Sequence, residues 1–345
     1  MGLADYSAFI LGGLPKQGQT LEEVKDLLLN EIKKLRAGEF DEKMLQANIN
    51  NFKLYELQSM ESNEGRADIF VNSFINGTNW EDEVTAIDRM AKLTKEDIVA
   101  FADKYLKEDN YAVVYKKQGK DPNEKKMTKP EITPIVSNRD VASPFLTSIQ
   151  ENAVKPIEPV FLDFKKDMSQ LTAKSDIPVL YKQNTTNDLF QLIYVFDMGN
   201  NNDKALGTAF DYLEYLGTSD MTPEELKSEF YRLACTFYVS PGNERTYVVL
   251  SGLNENMPAA MQLFEKLLAD AQVNKEAYNN LVGDILKARA DAKLNQGQNF
   301  SRLMNYAMYG PKSPATNLLT EAELASMNPQ ELVDRIHNQN NYKHR

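Results

Sequence analysis

The chain has 345 residues, 42% of them hydrophobic and 26% charged, a globular composition with enough length for two cored domains. Its net charge of −11 argues against non-specific binding to nucleic acid or anionic membrane, because the phosphate contribution needs clustered Lys and Arg. No apolar run approaches the roughly 20 residues of a membrane span, and the single cysteine, Cys235, rules out an internal disulfide and a Cys-rich metal site.

Residues 1–5 show no basic segment leading into an apolar one, so no signal peptide is visible, which leaves cytoplasm and bacterial periplasm equally open. Residues 8–13 read as a short apolar strand. Thr20 followed by Glu23 forms a capping box, and Leu21, Val24, Leu27, Leu28, Ile32 and Leu35 recur at helical spacing until Gly38,. Asp41 is expected to cap a second helix to about Met60. Further helices are expected over 64–76, 80–92 and 94–106, the last capped by Thr94 with Asp97. The aromatic and β-branched stretch 111–117 reads as a strand.

Residues 119–159 hold Pro122, Pro130, Pro134, Pro144, Pro156 and Pro159, six of the chain's 14 prolines. Proline removes a donor and disfavours helix in the residue before it, so this stretch is expected to be an extended connector. Strands are expected beyond it at 160–164, 177–182 and 189–197. Helices follow over 203–216 and 223–233, the latter with Thr222 as N-cap, Pro223 at its first position and Glu225 closing the box. A hairpin joins 236–239 to 246–253 across 240–243. Helices are then expected over 257–270, 275–294, 300–309 and 329–338, and residues 341–345 read as the start of a strand. Cys235, in the apolar run 233–239, reads as a small buried core residue.

Little in this sequence carries chemistry by itself. A hydrolytic zinc site needs imidazoles or carboxylates converging on one ion with a position left open for water. The two histidines, His337 and His344, read as surface residues on different elements near the C-terminal end, too few and badly placed for such a site. Acidic stretches such as Glu22-Glu23 and 81–83 fall in first turns of helices, where they complement the dipole. No phosphate-binding glycine loop and no GxSxG frame occurs, and the helical run 21–106 lacks a fixed repeat.

The order of segments over 203–253, however, resembles the front half of a domain of the pitrilysin/insulinase family, in which a strand feeds a helix bearing the inverted zinc motif HxxEH, followed by a second helix and a hairpin. The frame falls on Asp211, Glu214 and Tyr215. Glutamate is kept at Glu214, while both ligand positions are changed, to Asp211 and Tyr215. Tyrosine, with an ordinary pKa of about 10, is a poor zinc ligand at neutral pH. The family's third ligand lies on a later helix, near 275–294, at a position that does not align by eye. This is the pattern of the family's second, non-catalytic domain.

Residues 309–314, 319–324 and 328–336 also resemble that family. So do Gly12-Gly13 with the helix after them, 38–40, 41–57, 93–98 and 111–115, as the back half of the preceding domain, and the proline-rich stretch matches the tether between clamshell halves.

The resemblance implies an α+β fold, mostly antiparallel sheets covered by helices, arranged as two pitrilysin-like half-domains joined by a proline-rich linker: 1–118, then 119–159, then 160–345. It implies a stretch of a zinc-dependent metalloendopeptidase that supplies chamber and substrate-enclosing surface, with no zinc or other cofactor in this chain and Zn²⁺ in the full-length parent. The partners it implies are the other half of the clamshell and a peptide or unfolded protein substrate, with neither nucleic acid nor membrane. The alternative is a non-catalytic scaffold or partner subunit of a peptidase-like complex. Residues 246–253 are expected to be an interior strand of the sheet, and the alternative there is a peptide-binding module that offers them as an edge strand. No catalytic residue is assigned, and Glu214 is expected to be inert.

Overall fold

In the computed structural model, residues 5–16, 18–119, 127–134, 137, 141–173, 176–313 and 316–345 are described. The expectations for residues 1–4, for 120–126, 135–136 and 138–140 within the connector and for Pro314 fall outside them. The described residues are α+β, with antiparallel sheets and helices packed on them, which is the fold class expected from the sequence.

Six helices open the chain: α1 (Leu21–Ala37), α2 (Lys43–Ser59), α3 (Asn63–Asn76), α4 (Trp80–Val84), α5 (Ala86–Met90) and α6 (Lys95–Tyr105). The capping boxes at Thr20/Glu23 and Thr94/Asp97 form as read, each satisfying two amides that have no helical partner. Gly38 ends α1 at φ 69°, the left-handed conformation that costs a glycine least,. Helix α1 packs on α6, joined by an Arg36–Asp103 ion pair of 2.9 Å. The single helix expected over 80–92 is divided between α4 and α5. Thr85, between them, bonds its hydroxyl back to the Glu81 carbonyl at 2.7 Å, the local competition that weakens helices at threonine.

Residues 8–13 and 111–117, expected as strands, are irregular. β-propensity yields a strand only where a second backbone supplies the ladder, and among the described residues no ladder forms on either stretch. The connector carries a helix that was not expected, α7 (Pro144–Gln150). Ser143 caps it and Pro144 takes the first helical position, the one place where the missing N–H costs nothing. Residues 160–164 are likewise not a strand. The ladder forms instead between β1 (Ser169–Ala173), which the sequence reading missed, and β2 (Ile177–Tyr181).

The second region is built on a three-stranded antiparallel sheet of β3 (Leu189–Phe196), β4 (Cys235–Pro241) and β5 (Thr246–Leu253), with β5 central. One face carries Phe190, Leu192, Tyr194 and Phe196 beside Gly252, Leu250, Val248 and Thr246 of β5, and these beside Cys235, Phe237, Val239 and Pro241 of β4. That face packs under α8 (Leu206–Leu213), α10 (Met257–Asp270), α11 (Lys275–Leu294) and α14 (Pro329–His337), and Phe264, Leu332 and Ile336 are among the residues sealed there. The remaining helices are α9 (Pro223–Arg232), α12 (Gln296–Tyr309) and α13 (Glu321–Ser326). Helix α8 is shorter than the expected 203–216, and α12 begins four residues earlier than expected, capped by Asn295. The tail starts a fourth strand as expected: His344 bridges to Phe196, and Val195 exchanges both backbone bonds with Arg345.

Helix α13 makes a pH prediction. Glu323 closes a capping box with Thr320 and pairs with Lys204 just before α8. Lys204, then the Thr320 donors, hold its carboxyl at about 2 against an ordinary 4.5. A depressed folded pKa stabilises above the unfolded value, and that contribution is lost as pH falls through the folded one. Glu323→Gln is therefore expected to flatten the acid limb of stability between pH 4.5 and about 2, read from denaturation midpoints across that range.

Candidate functional site

The three positions of the HxxEH-like frame sit at the end of α8. The helix buries Leu206, Ala209, Phe210, Tyr212 and Leu213, so its apolar stripe faces the core and leaves Asp211 on the outer side. Helical structure stops at Leu213. Glu214 is the cap, and the Tyr215 amide donates to the Tyr212 carbonyl at 3.0 Å, closing the helix with a tighter turn,. Asp211 and Tyr215 are therefore four residues apart in sequence but do not form a helical i, i+4 pair. The Tyr215 ring instead has the Lys227 ammonium of α9 at 5.7 Å from its centroid. The partly desolvated surroundings of Asp211, and then the Glu214 charge, raise the Asp211 carboxyl above its ordinary value,.

Tyr212, between these positions, fastens the helix. Its hydroxyl donates to the Asn274 carbonyl at 2.6 Å and accepts from the Asn274 amide at 2.8 Å, and its ring meets Tyr278 edge-on at 5.8 Å. The start of α11, the helix on which the resemblance places a third ligand, is thereby fixed against α8. Among the described residues, no three His, Cys, Asp or Glu gather where they could hold one ion. His337 is exposed at the end of α14. His344 differs from the surface position expected for it: its ring lies 5.1 Å from Phe196 and is partly covered. Cys235 is buried as read, and burial pushes its thiol up to about 11, which leaves it without thiolate reactivity at neutral pH.

One feature of this region was not foreseen. An open groove runs along Gly217, Thr218, Asp220, Thr222 and Asn274, marked in the sequence only by a cluster of turn formers between two helices. Its polar groups bond one another: Thr218 to Asp220, Ser219 to Asp270, and Asp220 to Lys266. It fastens a loop and leaves these groups satisfied. Strand β5 has both edges paired, so 246–253 is the interior strand expected from the sequence, and the alternative of an edge offered to an extended peptide is overturned.

No protein-family model matches the sequence, and no curated protein matches it. Solved structures of similar backbone include a peptidase M16 inactive domain and proteases. One is the peptidase M16 inactive domain from Pseudomonas fluorescens, with TM-score 0.43 and 15% identity over 50% of this chain and 43% of that one. Another is the periplasmic protease PqqL from Escherichia coli, with TM-score 0.44 and 14% identity over 92% of this chain and 38% of that one. A third is the ferredoxin protease FusC in complex with Arabidopsis ferredoxin, with TM-score 0.45 and 10% identity over 91% of this chain and 38% of that one. The chain spans less than half the length of each of these structures.

Proposed function

We propose that this chain is a stretch of a pitrilysin/insulinase-type zinc endopeptidase, comprising the half-domains 1–118 and 160–345 and the tether 119–159, and that it supplies chamber and substrate-enclosing surface without a zinc site of its own. One observation carries the proposal. The order β3, α8, α9, β4–β5 hairpin carries the degenerate frame Asp211, Glu214, Tyr215 at the end of α8. Zinc would belong to the full-length parent, whose substrates would be peptides or unfolded proteins.

The residues present here do not fit the metal. Catalytic zinc takes three protein ligands and an open position. The frame offers one carboxylate at the first ligand position, and its second ligand position lies beyond the helix, under an ammonium group. No hydrolytic step is therefore routed through these residues. Changed ligand positions also suit a non-catalytic scaffold or partner subunit. The full reading frame separates the two: an HxxEH upstream of residue 1 favours the peptidase, and its absence favours the scaffold.

The purified 345-residue chain is expected to hold no stoichiometric zinc after dialysis against the metal and to leave unstructured peptides uncut, by elemental analysis and a quenched-fluorescence peptide assay. One tightly held zinc per chain, lost in Glu214→Gln, would overturn the proposal.

A further inference from the structure

Two helices of equal length stand with apolar faces uncovered, and the charges around them are opposite. Helix α12 has 14 residues and buries none of them. Phe300, Leu303 and Tyr306 follow at i, i+3 and i+6 and are 62%, 61% and 57% exposed,. Arg302 lies one turn before Tyr306 on the neighbouring row. From residue 292 to residue 320 the sequence has no Asp or Glu, the longest such stretch in a chain that holds 50 of them. The cations there are Lys293, Arg302 and Lys312, and none of the three makes an ion pair among the described residues. They form a positive island in a chain of net charge −11.

Helix α3 also has 14 residues. Phe70 and Phe74 form one row and Val71 and Ile75 the next, and Phe74 is 88% exposed,. Trp80 of α4 extends this face, stacked on Phe70 with ring centroids 4.5 Å apart and planes at 15°. Glu64 and Asp68 continue the row of Val71 and Ile75 at helical spacing,, and Glu81, Asp82 and Glu83 follow Trp80. Over 63–90 there are six carboxylates and two cations. Arg89 is engaged by Asp82 at 3.6 Å and Arg66 by the Met60 carbonyl at 2.8 Å. Glu64, Asp68, Glu81 and Glu83 therefore have no cation among the described residues. Burial, and then the charges of Glu83 and Asp88, raise the Glu56 carboxyl on α2, as expected beside a patch short of positive charge.

Exposed apolar faces rimmed by charge mark association sites. Both helices, at 14 residues, are about 21 Å long, so either can cover the other along its whole length.

We propose that α12 of one copy of this chain docks on the α3–α4 face of a second copy, with Leu303 and its aromatic neighbours against Phe74 and Trp80 and its cations against Glu64 and Asp68. The contact is heterologous, so each paired copy keeps one face free, and assembly runs past the dimer unless the rotation closes a ring. A basic apolar helix also suits an anionic lipid surface. Such a surface repels a chain of net charge −11, whereas the second copy carries both the apolar face and the carboxylates. The inference rests on these two faces and does not depend on the proposed function.

Sedimentation velocity of the full chain across a range of concentrations tests it. Species larger than a dimer are expected as concentration rises, and fewer of them in about 1 M salt than in about 0.1 M. Trp80 is the single tryptophan, and its emission is expected to move to shorter wavelength as the copies associate. Leu303→Asp and Phe74→Asp each change a mostly exposed side chain, and far-ultraviolet circular dichroism checks that both variants fold. Each is expected to weaken self-association at least about tenfold, the contribution of one buried apolar side chain. Mixed together, they offer one intact α12 and one intact α3–α4 face, and are expected to form a one-to-one dimer that grows no further. A chain that stays monomeric at every concentration would overturn the proposal, including one that sediments with phosphatidylglycerol vesicles and so assigns α12 to lipid. So would folded variants that fail to pair when mixed, or association that salt does not weaken.

Discussion

Gly252→Ala is expected to lower the stability of the second region by about 2–6 kcal/mol, combining strained backbone and overpacking, measured by denaturant unfolding. Gly252 lies in the central strand β5, paired with Phe190 on one side and Cys235 on the other, at φ 156°. A Cβ built there would lie 2.4 Å from the Ala234 carbonyl oxygen, 2.6 Å from Cys235 Sγ and 2.7 Å from Cys235 Cα. Two of the three obstacles are backbone, which does not swing aside. Relief requires β4 to move away from β5, and the Leu253 amide then loses its 3.3 Å bond to the Ala234 carbonyl. Glycine inside a strand commonly marks such a close approach of two backbones. The same shift displaces Ala234 from Leu54, so hydrogen exchange at 43–59 is expected to rise along with that of the sheet.

Phe264→Ala is expected to cost about 3–5 kcal/mol, the range for truncating a buried aromatic. Phe264 is fully buried on α10, with ring centroids 4.8 Å from Phe237 of β4 and 6.4 Å from Tyr194 of β3. It is the aromatic that joins the helical layer to two of the three strands. Both neighbouring rings are held from elsewhere, Phe237 by Phe230 at 5.0 Å and Tyr194 by its hydroxyl on Glu265 at 3.1 Å. The gap therefore closes only in part, and the cavity contribution persists. Denaturant unfolding gives the loss, and near-ultraviolet circular dichroism is expected to show weaker aromatic signals at temperatures where far-ultraviolet signal is retained.

Much of the local structure was legible from residue order. Thr20/Glu23, Thr94/Asp97 and Thr222/Glu225 form capping boxes where they were read, because a box needs only four consecutive residues and their own amides. The bounds of α10 and α11 agree with the apolar periodicity, and the β4–β5 hairpin is closed by its own turn between Gly242 and Arg245. The expectations that failed were mainly the strands at 8–13, 111–117 and 160–164. Their β-branched and aromatic content was real, but among the described residues no ladder forms along them. At the proposed frame, the residue types at Asp211, Glu214 and Tyr215 could be read directly. That α8 stops at Leu213, and so separates Asp211 from Tyr215, could not.

By itself the sequence determined most helix starts, the buried state of Cys235 and the small number of imidazoles, all of which depend on residue types and spacings a few positions long, while the class of the fold was what the family resemblance implied. Only the tertiary structure decided that Tyr212 fastens α8 to the start of α11, and that Asn51 of α2 bonds to the Tyr231 carbonyl at the end of α9. Those outcomes join groups some 60 to 180 residues apart. Such pairings are set by how layers pack and which carbonyls remain unpaired once they have packed, and neither quantity exists until the chain has folded.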